Sequence, residues 1–495
     1  MSSYTFLASD FPRGTLLFTF FFSPLRAIPG PWLARTTRLW ELVMVSKGKF
    51  NQRAIHLHEK YDTDIPLGPV VRTAPNKYEF NTLNRYEAFS EPHNQTLFSF
   101  RDTKAHAKSR RSMASLYSMT TLISYEYAVD HQNTVLREEM LKFANKKTHV
   151  SLPQFLQFYA FDVISEITSA TDVKFLPSLG SFSLMHLTSD SPYFFLIDML
   201  DKSFSTSSKF GLLPELWPSI LKRLRFFNKP SPVTLLNISE GYLAKYCEES
   251  RAIKGNTNDE PLVAKIIGLK GKDKMTRRDA IGVCSNNIAA GSDTTAITLS
   301  SALYHIYKDP KILQRLREEL DTMENNGKIS NPVTFHRPKI CHISKRCPAS
   351  ASRCRVPLVR VVPEGGAEIN GYFVPEGTEV GVNAWALNYN EVVYGHDAHV
   401  FRPERWFAST PGTASSAVSL LAFGGGAWTC IGKNISLLEM YKVLPQIVHE
   451  FNIEISEDTM PWSTECNWFV KQKYLISVKL RERGLSNDHY RKPMV

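Results

Sequence analysis

One cysteine sits inside a glycine-rich loop near the C-terminus, Phe423-Gly424-Gly425-Gly426-Ala427-Trp428-Thr429-Cys430-Ile431-Gly432-Lys433-Asn434, and an amphipathic helical pattern follows at once, from Asn434 to His449. Glycines let the main chain approach a bound group without Cβ clashes. A helix N-terminus adds favourable partial charge and lowers a nearby thiol pKa. The layout is that of a thiolate ligand to a metal. The bland alternative for a lone cysteine is a buried structural thiol, and the glycines around Cys430 argue against it.

A second unusual run, Ala290-Gly291-Ser292-Asp293-Thr294-Thr295, lies inside a long helical pattern from Arg278 to Ile306. Glycine, serine, acid and threonine make a poor helix interior, because each adds entropy cost or competes for backbone hydrogen bonds. Some functional gain has to offset that weakness.

The cysteine loop resembles the haem-binding loop of cytochrome P-450 monooxygenases, written Phe-x-x-Gly-x-Arg-x-Cys-x-Gly. Phe423, Gly426, Cys430 and Gly432 match, and Trp428 stands where the family carries an arginine that grips a haem propionate. An indole offers one N–H and no charge, so it does not replace a bidentate charge-assisted contact. Weakened haem retention is the expectation.

The resemblance implies a mainly α fold with a small β region and a single large catalytic domain. It makes Cys430 the axial ligand of haem b iron and places Ala290 and Gly291 against the cofactor. It makes Asp293 and Thr294 the catalytic pair that relays protons during oxygen activation, where the helix ladder opens locally. Thiolate ligation favours heterolytic O–O cleavage. Electrons come from NADPH through a separate flavoprotein reductase, and the other partners are dioxygen and an apolar small-molecule substrate. The stretch from Arg101 to Tyr117 reads as a basic helix with His106 and Arg110 four apart, hence on one face. It is similar to the family's helix whose basic residues hold haem propionates.

Composition agrees with a folded body. Of 495 residues, 22% are charged and 43% apolar, which suits a globular core and not a disordered chain. The net charge of +11 fits nucleic acid, an anionic membrane surface or an acidic partner. No nucleic-acid module is recognisable, and the basic residues are scattered apart from the cluster Lys104, Lys108, Arg110 and Arg111. The expectation is a basic face toward a membrane or a reductase, with no nucleic acid. The seven cysteines lack the dense spacing of a disulfide scaffold, which predicts a reducing compartment. Cys341, Cys347 and Cys354 contain no close Cys-x-x-Cys pair, so no zinc site is expected.

The apolar run Leu16 to Phe22 is too short to span a bilayer, which takes about twenty apolar residues. Residues 1 to 27 read as a shortened membrane anchor, and Ile28-Pro29-Gly30-Pro31 as the proline hinge of microsomal members. The catalytic domain is then 28 to 480 and the polar tail 481 to 495, with the endoplasmic reticulum membrane, cytosolic face, as the implied location. Gly68 to Asn76 resembles the start of the family's small sheet, preceded by an apparent insertion from Asp62 to Leu67. Phe155 to Thr168 and Leu235 to Glu249 carry core-helix patterning. Leu184 to Phe226 lies where the family places mobile helices over its substrate channel.

Two departures stand against this picture. Pro403-Glu404-Arg405-Trp406 resembles an element whose arginine pairs with an upstream Glu-x-x-Arg helix, yet residues 336 to 355 hold no glutamate, two prolines and little apolar periodicity. Lys339 to Arg346 can be back-translated so that a shifted frame restores family-like text. That points to compensating frameshifts or a missed splice boundary. Arg405 without its carboxylate would be an unpaired charge, destabilising by ~3–5 kcal/mol if buried. With Trp428, this supports a second reading, a non-catalytic remnant of the family. The runs 288–295, 363–367 and 430–440 look most like filamentous-fungal, pisatin demethylase-like members, which hydroxylate or O-demethylate specialised metabolites.

Overall fold

The structure, a computed structural model, describes residues 23, 25–61, 71–75, 77–78, 97–98, 100, 102–169, 192–210, 212, 219, 222–223, 240–241, 244, 261–268, 276–327, 360–369, 371–389, 391, 395–403, 423–466 and 469–482. The anchor run Leu16 to Phe22, Asp62 to Leu67, residues 336 to 355, Arg405 and most of Leu235 to Glu249 lie outside the described residues.

The fold is mainly helical. Its principal helices are α1 (Trp32–Thr36), α2 (Leu39–Ser46), α3 (Phe50–Lys60), α4 (Thr103–Met113), α5 (Glu126–Lys146), α6 (Leu152–Ser169), α7 (Pro192–Phe210), α8 (Arg277–Lys308), α9 (Pro310–Asn325) and α10 (Lys433–Glu450). The patterns read from Phe155, Arg278 and Asn434 correspond to α6, α8 and α10, each with slightly wider bounds. Helix starts follow their capping residues. Thr276 and Asp279 form a reciprocal capping box at α8, Asp309 followed by Pro310 opens α9, and Asp102 accepts from Lys104 N–H at the start of α4.

Helix α6 is the buried spine of the body. Phe155, Leu156, Phe158, Tyr159, Phe161, Val163 and Ile167 are all buried in one apolar cluster with residues of α5, α8 and α10. A helix apolar on most of its circumference has to be enclosed on all sides. The two helices approach closely at Gly291 on α8, where an added Cβ would lie 2.7 Å from Ile164 Cγ1. Glycine therefore lets the spine and α8 meet.

The β structure is small, as expected. Strands β1 (Arg72–Ala74), β2 (Lys77–Tyr78), β3 (Arg360–Val361) and β6 (Glu379–Val380) form one sheet in the order β1-β2-β6-β3, with β2 and β6 parallel and the other pairs antiparallel. Three antiparallel pairs join β4 (Ala367–Ile369) to β5 (Tyr372–Val374), β7 (Phe451–Ile455) to β10 (Ile476–Leu480), and β8 (Ser463–Cys466) to β9 (Val470–Lys473). Leu25 and Ile28 are buried with Val362 and Val374, and Arg72 donates to Ser23 Oγ at 3.2 Å. Ser23 and Leu25, which fall within the expected anchor segment, thus pack into the body next to the sheet.

Candidate active site

Cys430 is carried on a loop closed by its own N–H, which donates to the Phe423 carbonyl at 2.7 Å. Gly424 and Gly426 have φ of +70° and +62°, a region that Cβ-bearing residues avoid, so the turn needs those glycines. The Cys430 thiol is exposed while Phe423 beneath it is buried. A Cβ on Gly432 would lie 3.9 Å from Cys430 Sγ, so glycine keeps that flank of the sulfur bare. No side chain caps the start of α10. Lys433 N–H turns back to the Cys430 carbonyl at 3.4 Å, and the positive end of the helix dipole at this point favours a thiolate.

On α8 the neighbours Ile288, Ala289, Ser292 and Asp293 are buried, whereas Ala290 is exposed and Gly291 and Thr294 are half-buried. Ala290 and Thr294, four apart, make an open stripe on one helix face, and Gly291 beside it is turned toward Ile164 of α6. The Thr295 and Ser436 hydroxyls meet at 3.0 Å, fixing α10 against α8 one residue past Thr294 and six past Cys430. Stripe and loop are neighbours. The expected local opening of the ladder is not seen, since α8 is helical from Arg277 to Lys308. The Thr294 hydroxyl donates to the Ala290 carbonyl at 2.7 Å, a back-bond that satisfies the carbonyl there.

Asp293 is placed differently from Thr294. Successive residues on a helix point about 100° apart, and Asp293 turns into the interior, where it is 1% exposed. Gln157 Nε2 donates to its Oδ1, Lys471 Nζ approaches the same oxygen at 3.2 Å, and Lys471 also pairs with Asp201 on α7. Asp293 Oδ2 is buried without a hydrogen-bond partner among the described residues. Burial, with the Asp201 carboxylate competing for the same ammonium, pushes the Asp293 carboxyl up to about 6 against the pull of Lys471 and Gln157. The structure therefore separates the expected pair, with a protonatable acid inside and a hydroxyl on the open stripe.

On the other side, α4 carries His106 and Arg110 on one face as expected. His106 is buried and Arg110 half-buried. Trp428 lies flat on His106, ring centroids 3.6 Å apart and planes 15° from parallel. The indole engages the imidazole face, so a charged contact from position 428 is absent and the cationic donor on this side is Arg110.

The donor set fits an iron thiolate at Cys430, with glycines that clear its surroundings and an open helix face next to it. It fits the carboxylates of a porphyrin only from α4. Lys471, Asp201 and Gln157 escaped the sequence reading. Gln157 and Lys471 are 136 and 178 residues from Asp293, and no local pattern signals such a contact.

A profile of the Cytochrome P450 family matches residues 29–480. Two proteins of Fusarium vanettenii named pisatin demethylase are 38% and 36% identical, covering 94% and 95% of this chain and 92% of each relative. A cytochrome P450 monooxygenase, cicH, of Emericella nidulans is 30% identical over 92% of this chain and 94% of its own. Similarity that runs through the whole helical body and spans both the Cys430 loop and the α8 stripe leaves one conclusion: the chain belongs to the cytochrome P450 family, whose haem iron it takes as cofactor.

Proposed function

We propose that this monooxygenase O-demethylates or hydroxylates an apolar specialised metabolite, with Cys430 as the iron ligand. The observation that carries this reading is that the helix following the exposed Cys430 meets α8 at Thr295 and Ser436, next to the open stripe of Ala290 and Thr294. The demethylase names of the two Fusarium relatives support the reaction class, and pisatin is the first substrate to test.

Bound haem supplies dioxygen activation and oxygen insertion, fed by electrons from an NADPH-dependent reductase. This chain supplies placement and protons. The Cys430 loop holds sulfur at the start of α10, and Arg110 and His106 on α4 would be the residues that hold the cofactor's carboxylates. Thr294 Oγ1, on turning from the Ala290 carbonyl, would donate a proton on the open side of α8. Asp293, buried on the adjacent face with its carboxyl raised to about 6 by burial, would be the reserve acid behind it. The buried Ile297 and Phe469 and the partly buried Phe204 form an apolar cluster around this region, which limits water entry and suits an apolar substrate.

The location we favour is the cytosolic face of the endoplasmic reticulum membrane. Among the described residues no helix is long and apolar enough to cross a membrane. Helices α1 and α2 nonetheless present Trp32, Leu33, Leu39 and Val43 to solvent, with Arg26, Arg35, Arg38, Lys47 and Lys49 in the same stretch. An apolar face flanked by cations suits an anionic lipid interface.

The reaction is tested with haem-loaded protein, a reductase, NADPH and pisatin. Formaldehyde release matched to substrate loss is the expected result. NADPH-independent inertness toward pisatin and other methoxylated aromatics, in a chain that binds haem, would favour the non-catalytic remnant, for which the uncharged Trp428 is the supporting observation.

A further inference from the structure

A short 3-10 turn, Ala114–Tyr117, continues α4 and ends between the two halves of the site. Tyr117 is buried, at 4% exposure, and is engaged at both ends. Its backbone carbonyl accepts from Asn434 Nδ2 at 3.0 Å, and its phenol donates to Asn287 Oδ1 at 2.7 Å. Asn434 lies four residues beyond Cys430, in the first turn of α10. Asn287 is on α8, seven residues before Thr294, which on a helix is two turns along the same face. Asn287 Nδ2 is buried and has no partner among the described residues, so the phenol is what holds this amide.

A hydroxyl buried between helices has no water to fall back on, and its retention implies that the bond is made. Phenylalanine would fill the same volume. What the hydroxyl adds is a fixed distance and orientation between two elements, beside the direct contact of the Thr295 and Ser436 hydroxyls on the same two helices. One of them ends the cysteine loop, and the other carries the open stripe.

We propose that Tyr117 is a positioning residue for the thiolate ligand: by bridging Asn434 and Asn287 it sets the spacing between the Cys430 loop and the cavity face of α8. The proposal rests on Cys430 being the iron ligand. Because the turn that Tyr117 ends runs on directly from α4, the same residue ties the helix that bears His106 and Arg110 to the start of α10. The cysteine loop is exposed and rich in glycine, packed through Phe423 on the core and Trp428 on His106, and the Tyr117 carbonyl adds a hydrogen-bonded anchor at Asn434. An anchor outside the loop is the economical way to hold it.

The test uses Tyr117→Phe, Asn287→Ala and the double variant, each checked for native circular dichroism. In the haem-free chain, the alkylation rate of Cys430 by iodoacetamide is followed by mass spectrometry of its peptide. Cys430 is already exposed, so the rate reports how well the sulfur is held as a thiolate at the start of α10, and each single change should lower it by up to about fivefold. The double variant should match the singles, because both remove one bond. In the haem-loaded, reduced, carbon monoxide-bound protein the same variants should move part of the absorption from the thiolate-ligated to the thiol-ligated form. Asn434→Ala, at a half-buried position, severs the other end and should act in the same direction even if the buried variants fail to fold. Unchanged alkylation and an unchanged band in folded Tyr117→Phe, or strictly additive effects in the double variant, would overturn the proposal. A thiolate band that survives Cys430→Ala would instead overturn the ligand assignment on which it rests.

Discussion

The imidazole of His106 and the indole of Trp428 lie face to face, 3.6 Å between ring centroids and 15° from parallel. His106 comes from the buried face of α4 and Trp428 from the turn that leads to Cys430, so the stack ties the cysteine loop to the basic helix. Stacked aromatic pairs contribute about 0.5–1.5 kcal/mol beyond the area they bury. The residue that removes a charged grip from the cofactor thus strengthens the protein's own framework around it.

Exchanging the two roles is measurable. Trp428→Arg gives up the stack and gains a charged donor, and hydrogen bonds to charged groups contribute about 1.5–3 kcal/mol. Haem transfer from Trp428→Arg to an excess of apomyoglobin should be slower by up to roughly tenfold, while the thermal midpoint of the haem-free chain should fall slightly.

Asp293 gives the site a pH dependence. Its folded pKa of about 6 lies above the ordinary 3.8, so between those values the folded chain holds a proton that the unfolded chain has released. That contribution is present in full below about 3.8 and is lost as pH rises through about 6. Compared with Asp293→Asn, the parent should therefore lose stability between pH 4.5 and pH 7, read from thermal midpoints at both values. Turnover by the variant should fall about 10²-fold, as when a positioned acid is removed.

Gly291→Ala tests the crossing of α6 and α8. The added methyl meets Ile164 Cγ1 at 2.7 Å, and overpacking of this kind destabilises by about 1–3 kcal/mol. Urea midpoints should show the loss, and adding Ile164→Ala should recover part of it, because the two changes share one space.

Lys442 on α10 is fully buried between Glu126 and Asp130 of α5. Lys442→Ala leaves two carboxylates facing each other without their cation. The loss should be about 3 kcal/mol, at the lower end for broken buried pairs because both acids reach solvent. Lys442→Met, which keeps the volume, should lose less.

Much of the fold was legible because helical periodicity is a local property. The runs behind α6, α8 and α10 are long, apolar on a regular spacing and bounded by caps such as Thr276 and Asp309. Cys430, Gly426 and Gly432 could be singled out because a tight loop beside a metal needs those residue types within a few positions of one another. Asp293 and Thr294 were found as a sequence pair, but adjacency in sequence hid their divergence in space, which follows from the helix turn between them. The partners of Asp293 and the Tyr117 bridge were invisible for a different reason. Gln157, Lys471, Asn287 and Asn434 are ordinary polar residues whose meaning arises only when separate helices and a hairpin come together. The close approach of Gly291 to Ile164 is legible only in the structure, because it depends on how α6 crosses α8.

The central claim, that Cys430 sulfur is the ligand to iron, is tested most directly by the carbon monoxide difference spectrum of the reduced, haem-reconstituted chain, recorded beside Cys430→Ala. The parent should give the red-shifted Soret band of a thiolate-ligated haem and the variant should lose it. The same band in both proteins, or in neither once haem binding is shown, would contradict the account.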